Sequence, residues 1–262
     1  QFRYFCDRDD TFPAPIKSVL AFGPDEVFFT AISQITYWNG QTQEYIECIP
    51  VSATKLWGTD RNNIYAVGAL GKIAHYDGSG WRRIESGTDV DLLDVWGTLE
   101  GQTVWSCGYS SDATRTVLVK IVDLQVRWRY EDQNHINVFR PDSLSGLLMG
   151  VYMDRPQQVF ICSGAGLYLA PANTHGEARR IGPGDWFFRA RPRRMRASLR
   201  NNIFITGDFS MIWHFNGVSW YEEWQFTGRL RLRGIALKGN MVIFAGLDIQ
   251  TNRAVIIRGN RI

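Results

Sequence analysis

Seven-residue stretches with an apolar centre recur along the chain as DEVFFTA, NNIYAVG, QTVWSCG, QQVFICS, NNIFITG and NMVIFAG. Their first β-branched residues are Val27, Ile64, Val104, Val159, Ile203 and Val242, evenly stepped except for a longer interval between Val104 and Val159. A period near 40 with one insertion, in the third copy, marks a repeat architecture, and the run lengths and β-branched content mark its cores as strands. IYAV and VIFA are apolar at every position, so both faces of such a strand need cover; a sandwich strand would alternate more cleanly. Four copies place glycine at one fixed offset after the anchor, at Gly68, Gly108, Gly207 and Gly246. That predicts either a positive φ or a close backbone approach at this strand end.

A preceding strand is legible in ATKLWGT, LLDVWGT and LLMGVYM, and a following hairpin in YDGSGW, residues 76–81, and FNGVSW, residues 215–220. Asn39-Gly40, Asp77-Gly78 and Asn216-Gly217 fall at nearly the same offset from their anchors, and such pairs favour a two-residue type I′ turn between third and fourth strands. Trp81 and Trp220 follow their anchors at an identical offset and read as packing between neighbouring units. Four short strands at this period make a propeller blade. The chain is therefore expected to be all-β, one six-bladed β-propeller domain over 1–262 with four-stranded antiparallel blades near 17–50, 51–88, 89–142, 143–186, 187–227 and 228–262. The last copy has only three strands, so QFRYFC at residues 1–6, within a closing strand and linker over 1–16, is expected to supply the fourth and remove the open edges.

The stretch LWGTDRNNIYAVGALGKIAHYDGSGW, residues 56–81, resembles the repeat of bacterial secreted β-propeller proteins, with its W-G-T, N-x-I-Y-A-V-G and H-Y-D-G-x-x-W elements. NNIFITG and WHFNGVSW match the same pattern in the fifth copy, while copies three, four and six keep mainly the strand core. The resemblance implies a propeller, and often an exported location, but no activity. It is not a WD40 array, since no blade has a Trp-Asp ending or a Gly-His start.

Composition changes this picture only in places. At 45% hydrophobic residues the chain can bury a sizeable core, and a formal charge of +3 demands neither nucleic acid nor an anionic membrane. The positive charge is unusual in kind, 24 Arg against 5 Lys, which favours planar, bidentate contacts, although a compositional bias of the genome gives the same ratio. No apolar run approaches the length of a membrane-spanning helix, so none is expected. The chain starts at Gln1 without Met, which fits a cleaved secretory leader or a trimmed chain. Cys6, Cys48, Cys107 and Cys162 have no CxxC spacing, which argues against zinc; Cys107 and Cys162 lie in apolar strands, and pairing is open.

Candidate chemistry is sparse. His75 and His214 share one offset in copies two and five, far apart around a ring, and read as repeated structural residues; His135 and His175 have no ligand spacing. A sialidase-type glycosidase would need a Ser-x-Asp box that no copy has, and no nucleotide, metalloprotease or hydrolase motif is present. The feature that departs from a plain scaffold is the run at 179–200, eight Arg in 22 residues, followed by RLRLRG. Arg189, Arg191, Arg193, Arg194 and Arg196 lead into the innermost strand of copy five, and Arg229, Arg231 and Arg233 into that of copy six, placing both near one rim. Such a surface suits carboxylate, sulfate or phosphate. The alternative is a solvated face paired with Glu222, Glu223 and Asp185 or stacked on Trp186 and Trp224. The copy-three insertion, residues 123–142, offers Trp128 and Tyr130 as a second contact surface, unless Trp128 simply takes the place of Trp81.

The functional expectation is a non-enzymatic protein-interaction or assembly scaffold of an exported bacterial complex, needing no cofactor or metal. Its partner is a protein, acidic where it meets the arginines. A lectin-like glycan binder is the alternative, although a repeating lectin should keep its polar sugar ligands in most blades. A glycosidase ranks below both, and scarce Lys argues against nucleic acid.

Overall fold

The computed structural model describes residues 16–31, 33–134, 143–155, 157–172, 177–181, 191–222 and 228–260. Its regular elements are strands apart from one short 3-10 turn, and consecutive strands pair antiparallel within six sheets. The first three sheets are β1 (Ser18–Gly23), β2 (Glu26–Ala31), β3 (Gln34–Trp38) and β4 (Gln43–Cys48); β5 (Ala53–Asp60), β6 (Asn63–Gly68), β7 (Ile73–Tyr76) and β8 (Trp81–Ile84); and β9 (Leu92–Gly97), β10 (Thr103–Tyr109), β11 (Thr116–Val122) and β12 (Gln125–Asp132). The next two are β13 (Leu148–Arg155), β14 (Gln158–Ser163), β15 (Gly166–Pro171) and β16 (Arg179–Arg180); and β17 (Pro192–Leu199), β18 (Asn202–Gly207), β19 (Ile212–Phe215) and β20 (Trp220–Glu222). The sixth has β21 (Leu230–Lys238), β22 (Met241–Asp248) and β23 (Arg253–Asn260), three strands among the described residues. The protein is a six-bladed β-propeller with one sheet per blade. The closing strand expected at residues 1–6 lies outside the described residues.

Two compact units, Gln1–Asp132 and Gln133–Ile262, hold three blades each. In the first unit β5 packs against β1 and β9; in the second β17 packs against β13 and β21. The doubly apolar second strands follow from this arrangement. Ile64 and Ala66 of β6 join Phe28, Ile35 and Leu56 in one core, while Tyr65 and Val67 join Leu92, Val95 and Val104 in the next. Period-two alternation thus feeds two different interfaces, so neither set of side chains can be polar.

The repeated glycine is explained by close approach. A Cβ on Gly68 would meet the Ser52 carbonyl oxygen at 1.8 Å, and one on Gly207 would meet that of Arg191 at 2.2 Å; neither has positive φ. In blade four the place is taken by Ser163, whose hydroxyl donates to the Ser145 carbonyl at 2.6 Å.

The Asn-Gly and Asp-Gly hairpins differ from the expected type I′ turns. Tyr76 pairs with Trp81 and Phe215 with Trp220, so the connections have four residues, and only the glycine, at φ 91° for Gly78 and 97° for Gly217, is left-handed. The reason is side-chain capping. Asp77 Oδ1 accepts the amides of Ser79 and Gly80 at 2.9 and 3.1 Å, and Asn216 Oδ1 those of Val218 and Ser219 at 2.9 and 2.8 Å. This Asx geometry satisfies the loop amides that a tighter turn would pair through the backbone. Trp81 lies against Tyr76 with centroids 5.3 Å apart and borders the core that blades one and two share, and Trp220 stacks on Phe215 at 4.9 Å.

His75 and His214 belong to a polar triad written twice. His75 Nε2 donates to Asn63 Oδ1 at 2.8 Å and Asn63 Nδ2 to Thr59 Oγ1 at 2.8 Å; His214 Nε2 and Asn202 Oδ1 lie 2.9 Å apart, with Asn202 Nδ2 2.6 Å from Ser198 Oγ. Burial holds the His75 imidazole below its ordinary pKa, Asp77 opposing and Arg82 assisting. Because the folded state is the poorer proton binder, its stability is complete above about pH 6.5 and falls as acid protonates the unfolded chain first. An NMR titration of His75 is expected to give a midpoint below about 6.5; a midpoint at or above that value contradicts the buried neutral ring.

Candidate functional site

The starts of β17 and β21 carry the arginines, and their strand patterns sort them. Pro192 opens β17, where a missing N–H costs no ladder bond. Met195 and Ala197 are buried, Arg193 and Arg194 half-buried, and Arg196 is only 6% exposed. On β21, Leu230 and Leu232 enter a core with Ile212, Val242 and Phe244, so alternation turns Arg229, Arg231 and Arg233 to the exposed side. A bulge between Leu232 and Gly234 falls on Arg233.

One tight turn ties the two strand starts together. Asp208 N donates to the Arg191 carbonyl at 3.2 Å, Ser210 N to that of Leu230 at 2.8 Å, and Leu230 N to Ser210 Oγ at 3.0 Å. The backbone at Arg191 and at Leu230, where the Arg229–Arg233 stretch begins, is therefore held by one turn.

The arginines are not one uniform surface. Arg193 places Nη2 and Nε 2.7 and 3.1 Å from Asp208 Oδ2, and Arg229 Nε lies 3.0 Å from Asp248 Oδ2. Burial raises the Asp248 pKa, but the amides of Gln250 and Thr251 together with Arg229 outweigh it and hold the carboxyl below its usual range. Arg194 Nη1 donates to the Arg193 carbonyl at 3.2 Å and Arg196 Nη1 to that of Met195 at 2.6 Å. Arg191, Arg231 and Arg233 are exposed and form no ion pair among the described residues. Arg189 lies outside the described residues, as do Asp185, Trp186, Glu223 and Trp224. The partners actually found, Asp208 and Asp248, sit at or just past the end of the second strand of the same blade.

Trp128 and Tyr130 are in the other compact unit, on β12, and are half-buried. Trp128 stacks on Tyr130 at 6.4 Å and meets Trp105 edge-on at 5.7 Å, while Tyr130 Oη donates to Asp132 Oδ2 at 3.0 Å. The opposite side of β12 exposes Arg127, Arg129 and Glu131; Arg129 donates to the Gly87 carbonyl, and Glu131 accepts from Thr88 and Arg115. Trp128 thus commits its ring to neighbours, as Trp81 does. Residues 135–142 of the insertion lie outside the described residues.

Among the described residues no group of three or more His, Cys, Asp or Glu could hold a metal, and no helix is long and apolar enough to cross a membrane. Cys107 and Cys162 are buried and outside any disulfide, whereas Cys48 is disulfide-bonded.

No protein-family model and no curated protein matches the chain. Among solved structures it is similar to YCF48 bound to D1 peptide, with TM-score 0.69 and 10% identity over 99% of this chain and 81% of that one. It is also similar to hydrazine synthase of Kuenenia stuttgartiensis, with TM-score 0.68 and 11% identity over 93% of this chain and 83% of that one. At such identities the likeness is one of fold, and both are propellers.

Proposed function

We propose that the protein is a non-enzymatic interaction module that binds an acidic protein segment at the start of β17 and β21, within an exported assembly. The observation that carries this reading is the trio Arg191, Arg231 and Arg233, exposed and without ion pairs among the described residues, next to two arginines already neutralised by Asp208 and Asp248. A surface evolved only for solubility has no need to set three exposed arginines without ion pairs on two strand starts tied by one turn. A carboxylate-bearing segment would supply the missing counter-charge and use the bidentate geometry Arg offers.

Two further findings support parts of the proposal. A similar propeller, YCF48, was solved with a bound peptide, so the architecture accommodates such a ligand. The Cys48 disulfide fits an oxidising compartment and hence export. Titration of thiols in denaturant is expected to find two per chain before reduction, those of Cys107 and Cys162. Four would remove the compartment argument. The pairs Tyr76–Trp81 and Phe215–Trp220 turn their rings on each other, which favours a protein partner over a sugar.

The test is affinity capture from an extract of the native source with the wild-type chain and an Arg191→Glu/Arg231→Glu/Arg233→Glu variant, at low and high salt. A partner held by wild type, released by salt and lost by the variant supports the proposal. Equal capture by both chains overturns it.

A further inference from the structure

The turn between β18 and β19, which hydrogen-bonds to the starts of both arginine-bearing strands, is built from residues that suit it poorly. Phe209 and Ser210 both have positive φ, 57° and 61°, and Met211 N donates to the Asp208 carbonyl at 3.2 Å. This is the type I′ signature, a geometry that favours Asn, Asp or Gly at its centre because a Cβ crowds the backbone there. Phenylalanine in the left-handed region is an outlier, and the residue is 69% exposed to water. Leu70, itself 61% exposed, and Gly71 make the same turn in blade two, with φ 56° and 66°, so the turn and an exposed apolar residue at its first central position both belong to the blade design. What blade five adds is the arginine-bearing strand starts on either side of it.

Asp208 N is bonded to the Arg191 carbonyl and Ser210 N to the Leu230 carbonyl, so Phe209 is held between the strand start bearing Arg191 and the strand start bearing Arg229 and Arg231. Directly before it, Asp208 pairs with Arg193. The next blade repeats the order: Asp248 pairs with Arg229, and the following Ile249 is 43% exposed while its N donates to the Arg229 carbonyl at 3.0 Å. Each time, an exposed apolar side chain follows the carboxylate that neutralises one arginine. Each stands close in the chain fold to arginines that form no ion pair among the described residues. A polar residue would serve the turn with less strain and better solvation.

We propose that Phe209, with Ile249 as its counterpart in the next blade, is the apolar anchor of the arginine surface, and that the ligand is a peptide segment carrying a large apolar side chain next to carboxylates. This rests on the acidic-partner reading above and specifies it. Exposed arginines steer and orient an acidic segment, but their solvated contacts contribute modestly to affinity; an aromatic ring removed from water at the centre of a charged rim contributes more. Charge selects the flanking residues of the ligand, and Phe209 selects the one between them.

The experiment is selection of a random decapeptide display library on wild type, Phe209→Ala and Arg231→Glu/Arg233→Glu. Wild type is expected to enrich Asp or Glu beside Phe, Leu or Trp. Phe209→Ala keeps the acidic preference and loses the apolar one, and the arginine variant loses the acidic one. Changing the apolar residue of a selected peptide to Ala weakens wild-type binding about tenfold, the effect expected of one anchor, and weakens Phe209→Ala no further. Acidic enrichment without an apolar preference overturns the anchor alone. Apolar enrichment without acidic residues, lost in Phe209→Ala, overturns the arginine reading alone; neither preference overturns both. Phe209→Gly should raise the thermal midpoint by relieving the left-handed φ while losing the apolar preference. A lower midpoint would make Phe209 a packing residue and overturn the proposal.

Discussion

Gly68→Ala is expected to lower the thermal midpoint by roughly 8–16 °C, the shift of a loss of about 4 kcal/mol in a chain of this size. The added methyl would stand 1.8 Å from the Ser52 carbonyl oxygen and 3.1 Å from the Ala53 Cα, both backbone atoms that cannot rotate away. Relief requires β6 to move off β5, which opens the Ala53–Gly68 end of the ladder and pulls Val67 from the core it shares with Leu92 and Val95. Overpacking that displaces backbone costs more than overpacking a flexible side chain accommodates. Gly80→Ala is the matched control in the same blade. Nothing lies within 4 Å of its Cβ position and its φ is not left-handed, so its midpoint should stay within about 2 °C. Equal effects of the two substitutions would show that the close approach at Gly68 is not what the fold requires.

If the proposed acidic segment is the ligand, reversing Arg191, Arg231 and Arg233 to Glu is expected to weaken its binding about 100-fold or more at low salt, with the fold intact. Each charge-assisted hydrogen bond removed at an exposed site weakens binding by about 1 kcal/mol, and three sum to the roughly 3 kcal/mol that a 100-fold change represents. Exposure keeps the stability cost small, about 0.5 kcal/mol or less per site. Salt should narrow the gap between variant and wild type, since exposed charges are within reach of ionic screening. Arg193→Glu is an instructive contrast. It would set a second carboxylate against Asp208, whose side chain is 16% exposed, and it should destabilise blade five before it reports on binding. An isothermal titration with the captured partner separates the two cases. A triple variant that binds like wild type would leave the arginines as a solvated face.

Blade number, strand order and the doubly apolar second strands were legible in the chain, because a period near 40 and a period of two both survive substitution of individual residues. The triad His75, Asn63 and Thr59 was half legible: the repeated histidine offset marked a structural role, but its partners are set by strand register. Turn type was not legible where Asp77 and Asn216 cap loop amides with their side chains, a competition that dipeptide preference alone does not weigh. Two consecutive left-handed residues, the type I′ mark, stand instead at Leu70-Gly71, Asp123-Leu124 and Phe209-Ser210; only Asp123-Leu124 joins a third to a fourth strand, and apart from Gly71 and Asp123 these turns carry little of the expected composition.

Sequence by itself determined that this chain must be a six-fold repeat of small sheets, since apolar strands that bury both faces need a neighbouring sheet on each side. It also put arginines in the first strands of blades five and six. Only the tertiary structure decided which of them are available. Asp208 and Asp248 neutralise Arg193 and Arg229 from the far end of the strand that follows in each blade, and the turn that seats Phe209 among them is held by backbone bonds to two different strand starts. Pairing and exposure depend on which backbone segments lie within about 3 Å of each other, and that is a property of register and of packing between blades.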